Sequence, residues 1–416
     1  MSYNFSQKQT DMEKNINAAN KTNSTMQNSI NENASMHGTA NGVASTHSSH
    51  TIEDRTQWRK YPHKTGHGFA AEDANAQIDR WHGKNVECVG RDNSANGADR
   101  IVNGQKIQTK YCNCARETVN SAFDNQTGMY RYDGMKLEVP ADQYEECVRR
   151  MKDAISQGKV AGVTDPEMAS QIVVKGHITY AQAQKIAKAG NWESIKFDIR
   201  TQTVSCLGAG AIGAAIGFIS AKQSGMSTKE AFKEAAKTGG VSSATALGGG
   251  VLAQQALRTT MGRNMAAGAT KAIKPIVETA MKTEMGAQAL TKTASVLAGK
   301  ELTKQGAKQF LTQVGRTNAV AGTCMFVATA IPDTIKVCRG KISGADYAEN
   351  MVSNAAGIGG GWAGASSGAA IGTAICPGVG TVIGGLIGGI AGGMGASSVS
   401  RKVTGLFRKK NKKKRA

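Results

Sequence analysis

Apolar positions along this chain fall into three textures. Through residues 1–60 they are sparse and follow no period, among many Asn, Ser, Thr and His. Such a segment buries too little surface to offset the entropy of ordering, which predicts a disordered leader. From 61 to 158 the periods alternate. "GHGFAAEDANAQIDRW" sets Phe69, Ala70, Ala74, Ile78 and Trp81 at helical spacing and closes before Gly83. "NVECVG" reads as a short strand. "ADRIV" and "QKIQTKY" read as two strands joined at Asn103-Gly104, the strongest short hairpin signal. "MYRYDGMKLEVP" predicts a second hairpin turning at Asp133-Gly134, and "ADQYEECVRRMKDAISQGK" an amphipathic helix. The sum is a compact α/β unit.

Residues 159–200 predict a helical linker of two short helices, one opening at Thr164-Asp165-Pro166 and one running from Thr179 to Gly190. Two helices about a Gly turn also fit a helix-turn-helix reader, although "KGHI" carries no base-reading signature. Beyond 200 the texture is Ala/Gly-rich and largely uncharged. Segments 201–221, 238–257 and 317–332 carry no charge, and neither does the whole run 350–400. About 20 apolar residues span a bilayer, so 201–400 reads as all-α membrane helices, the long run supplying two crossings about "CPGVG". Favourable insertion there rests on Val382, Ile383, Leu386, Ile387 and Ile390, roughly −2 to −3 kcal/mol together, so insertion is marginal. A soluble Ala/Gly-rich bundle is the rival reading.

Charge sharpens this picture. The net charge is +20, from 51 basic and 31 acidic residues, which favours phosphates or anionic lipid. The tail 401–416, "RKVTGLFRKKNKKKRA", contains no acid. Beside a membrane span it predicts a cytoplasmic anchor for anionic lipids, each basic residue contributing about 1 kcal/mol near the surface. A nucleic-acid patch is the alternative. The N-terminus lacks the apolar core of a signal peptide, so both termini are expected inside, with an even number of crossings. We expect four, with 317–332 in the interface or packed on the bundle. The eight cysteines are scattered and contain no CxxC pair, which favours reduced thiols. Cys112 and Cys114 alone lack the second pair that zinc needs.

Candidate chemistry lies in the hairpin. A two-residue turn at Asn103-Gly104 sets Val102 opposite Gln105, Arg100 opposite Ile107 and Asp99 opposite Gln108. Opposed residues share a sheet face, as do residues two apart, so Asp99, Gln108 and Lys110 project from one side. A carboxylate beside an amide carbonyl offers hard oxygen ligands suited to Mg²⁺. A nearby lysine offsets charge developing on a phosphorane, and metal-assisted phosphodiester hydrolysis uses these parts. A solvated polar hairpin face satisfies the same spacing.

The stretch 67–111 resembles the Mrr-type branch of the PD-(D/E)XK nucleases. That pattern runs from a helix with Glu (Glu72 in "GHGFAAEDAN"), through a strand closing on Gly, to Asp99 in "NGAD" and Gln108 and Lys110 in "IQTK". The resemblance implies an α/β restriction-endonuclease-like domain. It also implies Glu72, Asp99 and Gln108 as Mg²⁺ ligands, Lys110 as a catalytic residue, and DNA as substrate. Three departures accompany it: the insert before "GAD" brings a rival acid, Asp92; Tyr111 follows the lysine where a basic residue is usual; and the family's downstream portion is not recognisable. "AGIGGGWAGASSGAAIGTAI" and "GTVIGGLIGGIAGGMGA" repeat glycine at helical spacing and resemble glycine-zipper segments of bacterial membrane proteins, since small residues four apart let helices approach closely and self-associate. The chain as a whole resembles uncharacterised bacterial multi-pass inner-membrane proteins. Joined, the halves predict a membrane-tethered endonuclease in defence or mobile-element biology. The alternative is a non-enzymatic, oligomer- or pore-forming zipper effector with an α/β sensing domain.

Overall fold

A computed structural model describes residues 42–356, apart from 43, 47, 91–95, 299, 345, 349 and 353. Of the leader expected over 1–60, residues to 41 lie outside the described residues, as do Asp92, most of the long uncharged run and the basic tail. Residues 48–55 are helical, and Ile52 and Trp58 are buried in the core, against the disorder expected of them.

Helix α1 (Gly66–Trp81) begins the α/β unit and ends where Gly83 takes a positive φ of 75°. Strands β1 (Val86–Cys88), β2 (Arg100–Val102) and β3 (Gln105–Thr109) follow, antiparallel in succession. Arg100 pairs with Ile107 and Val102 with Gln105, as the turn count requires. Asn103 and Gly104 both hold positive φ, 49° and 83°, which gives a two-residue turn its matching twist.

The second expected hairpin does not form. Tyr130 makes a single bridge to Phe123, and the chain crosses through α2 (Ala115–Asn120) so that β4 (Lys136–Val139) lies parallel to β3. Asp133-Gly134 is a turn, but it leads into a crossover; Leu137 and Val139 are fully buried, which a central strand permits and a surface hairpin does not. The segment expected to hold two helices also differs. After α3 (Tyr144–Ser156), a 3₁₀ turn and the one-turn α4 (Ala169–Ile172), residues Val173–Lys175 form β5, parallel to β4. A strand therefore separates the two helical pieces, and the helix-turn-helix option falls with it. The β-branched pair Val173-Val174 carried that signal. The sheet order is β1-β2-β3-β4-β5, with β2 alone antiparallel to the rest.

Helix α5 (Tyr180–Ile186) starts on a Thr179–Gln182 capping box and leads to α6 (Trp192–Gln223), capped by Asn191. Helices α7 (Thr228–Arg258), α8 (Thr260–Ala280), α9 (Glu284–Ala298) and α10 (Lys304–Cys338) follow, and the described residues between 344 and 356 are helical as well. Two of these, α6 and α10, are long and apolar enough to cross a membrane. Segment 238–257, expected to lie among the membrane helices, is the second part of α7, whose first part carries Lys229, Glu230, Lys233, Glu234 and Lys237 and whose end buries Gln254 and Arg258. Segment 317–332 is part of α10, which passes through Pro332 to Cys338 and packs against α7, α8 and α9.

Helices α6 and α7 run antiparallel with their backbones in near contact. A Cβ on Gly213 would lie 2.3 Å from the Ser242 hydroxyl, and one on Gly217 would lie 2.8 Å from that of Thr238. The α/β unit is not separate from these helices. One core joins Ala70 and Ala74 of α1 to Phe197 of α6, Leu257 of α7 and Val320 of α10. A buried ion pair sits in it: Arg258 donates to both carboxylate oxygens of Asp198 at 2.7 and 2.8 Å, with side-chain exposures of 1% and 0%.

Candidate functional site

Of the four residues singled out by the sequence, Asp99, Gln108 and Lys110 lie together at the open end of the hairpin, and Glu72, on α1, feels the charge of Asp99. Asp99 precedes β2, and its Oδ2 accepts from the Thr109 backbone N–H at 2.7 Å and from Gln108 Nε2 at 2.8 Å. Its backbone carbonyl accepts from Val89 and Gly90. The glycine is needed there, since a Cβ on Gly90 would stand 2.7 Å from the Asp99 Cα. Lys110 leaves the end of β3 with its Nζ 5.3 Å from the Tyr132 ring centroid. Glu72, from the second turn of α1, accepts from Gln57 Nε2 at 2.8 Å.

Electrostatics tie these groups together. Burial raises the Glu72 carboxyl to about 8, and the Asp99 charge is the next cause in the same direction. Burial also raises Asp99, against the Thr109 N–H, the charges of Lys110 and Arg100 and the Gln108 amide, which lower it. Two partly desolvated carboxylates thus face each other's field, with a lysine close enough to be felt. The oxygen surplus extends to Gln57, whose Oε1 is buried without a donor. Among the described residues no group of three or more His, Cys, Asp or Glu gathers as a metal site. The donor set is therefore two carboxylates and amides, which is what Mg²⁺ commonly takes from protein while keeping positions for water and phosphate oxygens. At present Gln108 presents its NH₂ to Asp99, so its carbonyl becomes a ligand only when the amide turns over.

A second polar cluster, which sequence reading missed, lies between α1 and the sheet. Arg100, 1% exposed, donates to Glu138 of β4 and, at 3.2 Å, to Asp79 of α1. Glu138 also accepts from Asn75 at 2.7 Å and Thr109 at 3.0 Å. Asp79 further accepts from Lys84 and His177, each at 2.8 Å. Burial alone would raise Asp79, but the His177 and Lys84 hydrogen bonds and the Arg100 charge hold it well below the usual carboxylate range. Each acid here is matched by donors, so the cluster is structural and clamps α1 to the sheet. The only sequence signal for it was charge at alternating strand positions, Arg100 beside Ile101 and Glu138 between Leu137 and Val139.

Residues 48–156 match the YeeR C-terminal domain. That stretch contains the helix of Glu72, the hairpin and its three polar residues, and β4. Residues 347–399 match a glycine-zipper domain of the C13G5.2-like kind. The chain is 52% identical over 99 residues to the inner membrane protein YeeR of Escherichia coli (strain K12), which is 23% of this chain. The chain thus spans 19% of the length of that relative. No solved structure matches the chain. The inner-membrane relative, the zipper domain and the two long apolar helices support an inner-membrane location.

Proposed function

We propose that the chain is a membrane-tethered, Mg²⁺-dependent DNA endonuclease whose site is Glu72, Asp99, Gln108 and Lys110. The observation that carries it is the grouping of a carboxylate, an amide and a lysine at the open end of one hairpin, with the Glu72 carboxylate in the field of Asp99. The order of elements supports the same reading: helix with Glu72, strand closing on Gly90, then Asp99 and β3 with Gln108. Glu72, Asp99 and the Gln108 carbonyl would hold the ion. Mg²⁺ would polarise a phosphodiester oxygen and lower the pKa of bound water. Asp99 is oriented by the Thr109 N–H, and Lys110 brings positive charge to the place where a scissile phosphate gains negative charge.

The test is nicking of supercoiled plasmid by the full chain in detergent micelles or nanodiscs, with Mg²⁺ or with chelator. The full chain is required because the α/β unit shares its core with α6, α7 and α10. Cleavage is expected with Mg²⁺ only, and Lys110→Ala is expected to abolish it. Equal cleavage by parent and Lys110→Ala overturns the assignment. A second reading, a non-enzymatic zipper effector, is favoured by one observation, the glycine-zipper match over 347–399. It predicts lipid-vesicle leakage by the full chain that Lys110→Ala leaves unchanged, and no nicking.

A further inference from the structure

Where α1 and α6 meet, on a part of the surface that neither polar cluster uses, lies an open cleft lined by three arginines. Arg55, Arg80 and Arg200 come from three separate segments and surround Trp81, Gln77, Thr201 and Val204. Among the described residues the Arg80 guanidinium donates to the Val86 carbonyl at 3.4 Å and the Cys88 sulfur at 3.3 Å and meets no carboxylate. Arg200 has no acidic partner among the described residues, and Arg55 pairs only with its exposed neighbour Asp54. Arg80 and Arg200 thus share the cleft without a carboxylate among the described residues, a repulsion that an anion in the cleft relieves. Gln77 adds a second, independent sign. Its Nε2 donates to Thr201 Oγ1 at 2.6 Å, while its Oε1 is buried with no donor.

The position of the cleft identifies the anion. Arg200 stands where α6 leaves the α/β unit. Val204 and Leu207 continue its stripe at helical spacing, 55% and 69% exposed. Asp198 and Phe197, just before it, are buried in the shared core. On this face of α6, Val204 and Leu207 present apolar side chains outward beside Arg200, as at the edge of a bilayer, while Thr201, Gln202 and Ser205 stay buried against the protein. Trp81, 57% exposed on the rim, has the amphipathic ring that favours the headgroup level.

We infer that this cleft binds the headgroup of an anionic phospholipid with a free hydroxyl, such as phosphatidylglycerol. The phosphate meets Arg80 and Arg200, and a headgroup hydroxyl supplies the donor that Gln77 Oε1 lacks. The inference rests on the inner-membrane location and is independent of the nuclease reading. It adds to the C-terminal basic tail a fixed lipid contact that sets the depth and orientation of the α/β unit on the membrane.

The test is native mass spectrometry of the full chain released from nanodiscs of equal phosphatidylglycerol and phosphatidylcholine. The basic tail is present in parent and variants alike, so their difference reports the cleft. The parent is expected to retain phosphatidylglycerol preferentially. Arg200→Gln is expected to cut that preference roughly fivefold, the value for one basic residue near an anionic surface, and Arg80→Gln with Arg200→Gln further. Arg200→Gln removes no ion pair or side-chain hydrogen bond among the described residues, so it keeps the fold. Parent-level preference in both variants overturns the inference. So does displacement of the retained lipid by millimolar inorganic phosphate, which would mark a plain anion pocket. Binding of a short DNA duplex that the variants lose while keeping lipid preference also overturns it and assigns the cleft to nucleic acid.

Discussion

Glu72→Gln separates a strained functional carboxylate from an ordinary surface one. The carboxyl is raised from 4.5 to about 8 by burial and by Asp99. The folded state therefore binds this proton more tightly than the unfolded chain. Stability falls as pH rises from about 4.5 to 8 and is level outside that window. At 1.36 kcal/mol per pH unit the full shift has a ceiling of about 5 kcal/mol. Glu72 keeps partial contact with water, and screening brings the expected penalty to about 2 kcal/mol. Glutamine has the same shape, keeps an acceptor for Gln57 Nε2 and carries no charge. In thermal melts of the detergent-solubilised chain followed by Trp fluorescence, Glu72→Gln should match the parent near pH 4.5. At pH 8.5 it should melt about 4 °C higher. Millimolar Mg²⁺ at pH 8.5 should stabilise the parent and leave Glu72→Gln nearly unchanged, since the ion offsets the repulsion that the substitution removes. Equal melting of the two proteins at pH 8.5, or a gap that widens towards acid, would refute the reasoning.

Lys110→Ala, which abolishes nicking in the proposed mechanism, should leave the melting temperature within a few degrees, because a partly exposed polar side chain contributes little stability; a large drop would make it a folding residue. Arg100→Met should destabilise by about 3–5 kcal/mol in denaturant titration, since it strands the buried carboxylates of Glu138 and Asp79; a loss under 1 kcal/mol would contradict the clamp. Gly213→Val should cost about 1–3 kcal/mol by forcing α6 from Ser242, whereas Gly240→Ala, with open space at its Cβ, should be neutral or stabilise by up to about 1 kcal/mol. Similar effects at the two glycines would argue against close α6–α7 packing.

Local features were legible in the sequence because they are set by neighbouring residues. Asn103-Gly104 determined the turn, the turn determined the register, and the register placed Asp99 beside Gln108. Helix periodicity and caps located α1, α3 and α5 in the same way, and the Ala/Gly texture announced helices from 201 onward. The sequence also contained the resemblance to a nuclease motif, of which Asp99, Gln108 and Lys110 do lie together. What the tertiary structure alone decided depends on contacts far apart in the chain. Residues 129–139 carry hairpin signals, yet Leu137 and Val139 gain more by complete burial between β3 and β5 than a surface hairpin offers. Residues 173–175 are too short for any period to mark them as a strand; their partner, β4, lies more than thirty residues earlier. The clamp of Arg100 with Glu138 and Asp79 joins three elements, as does the cleft of Arg55, Arg80 and Arg200. No local spacing brings such charges together. Their placement follows from the shared core, which fixes how α1 lies against both the sheet and the base of α6.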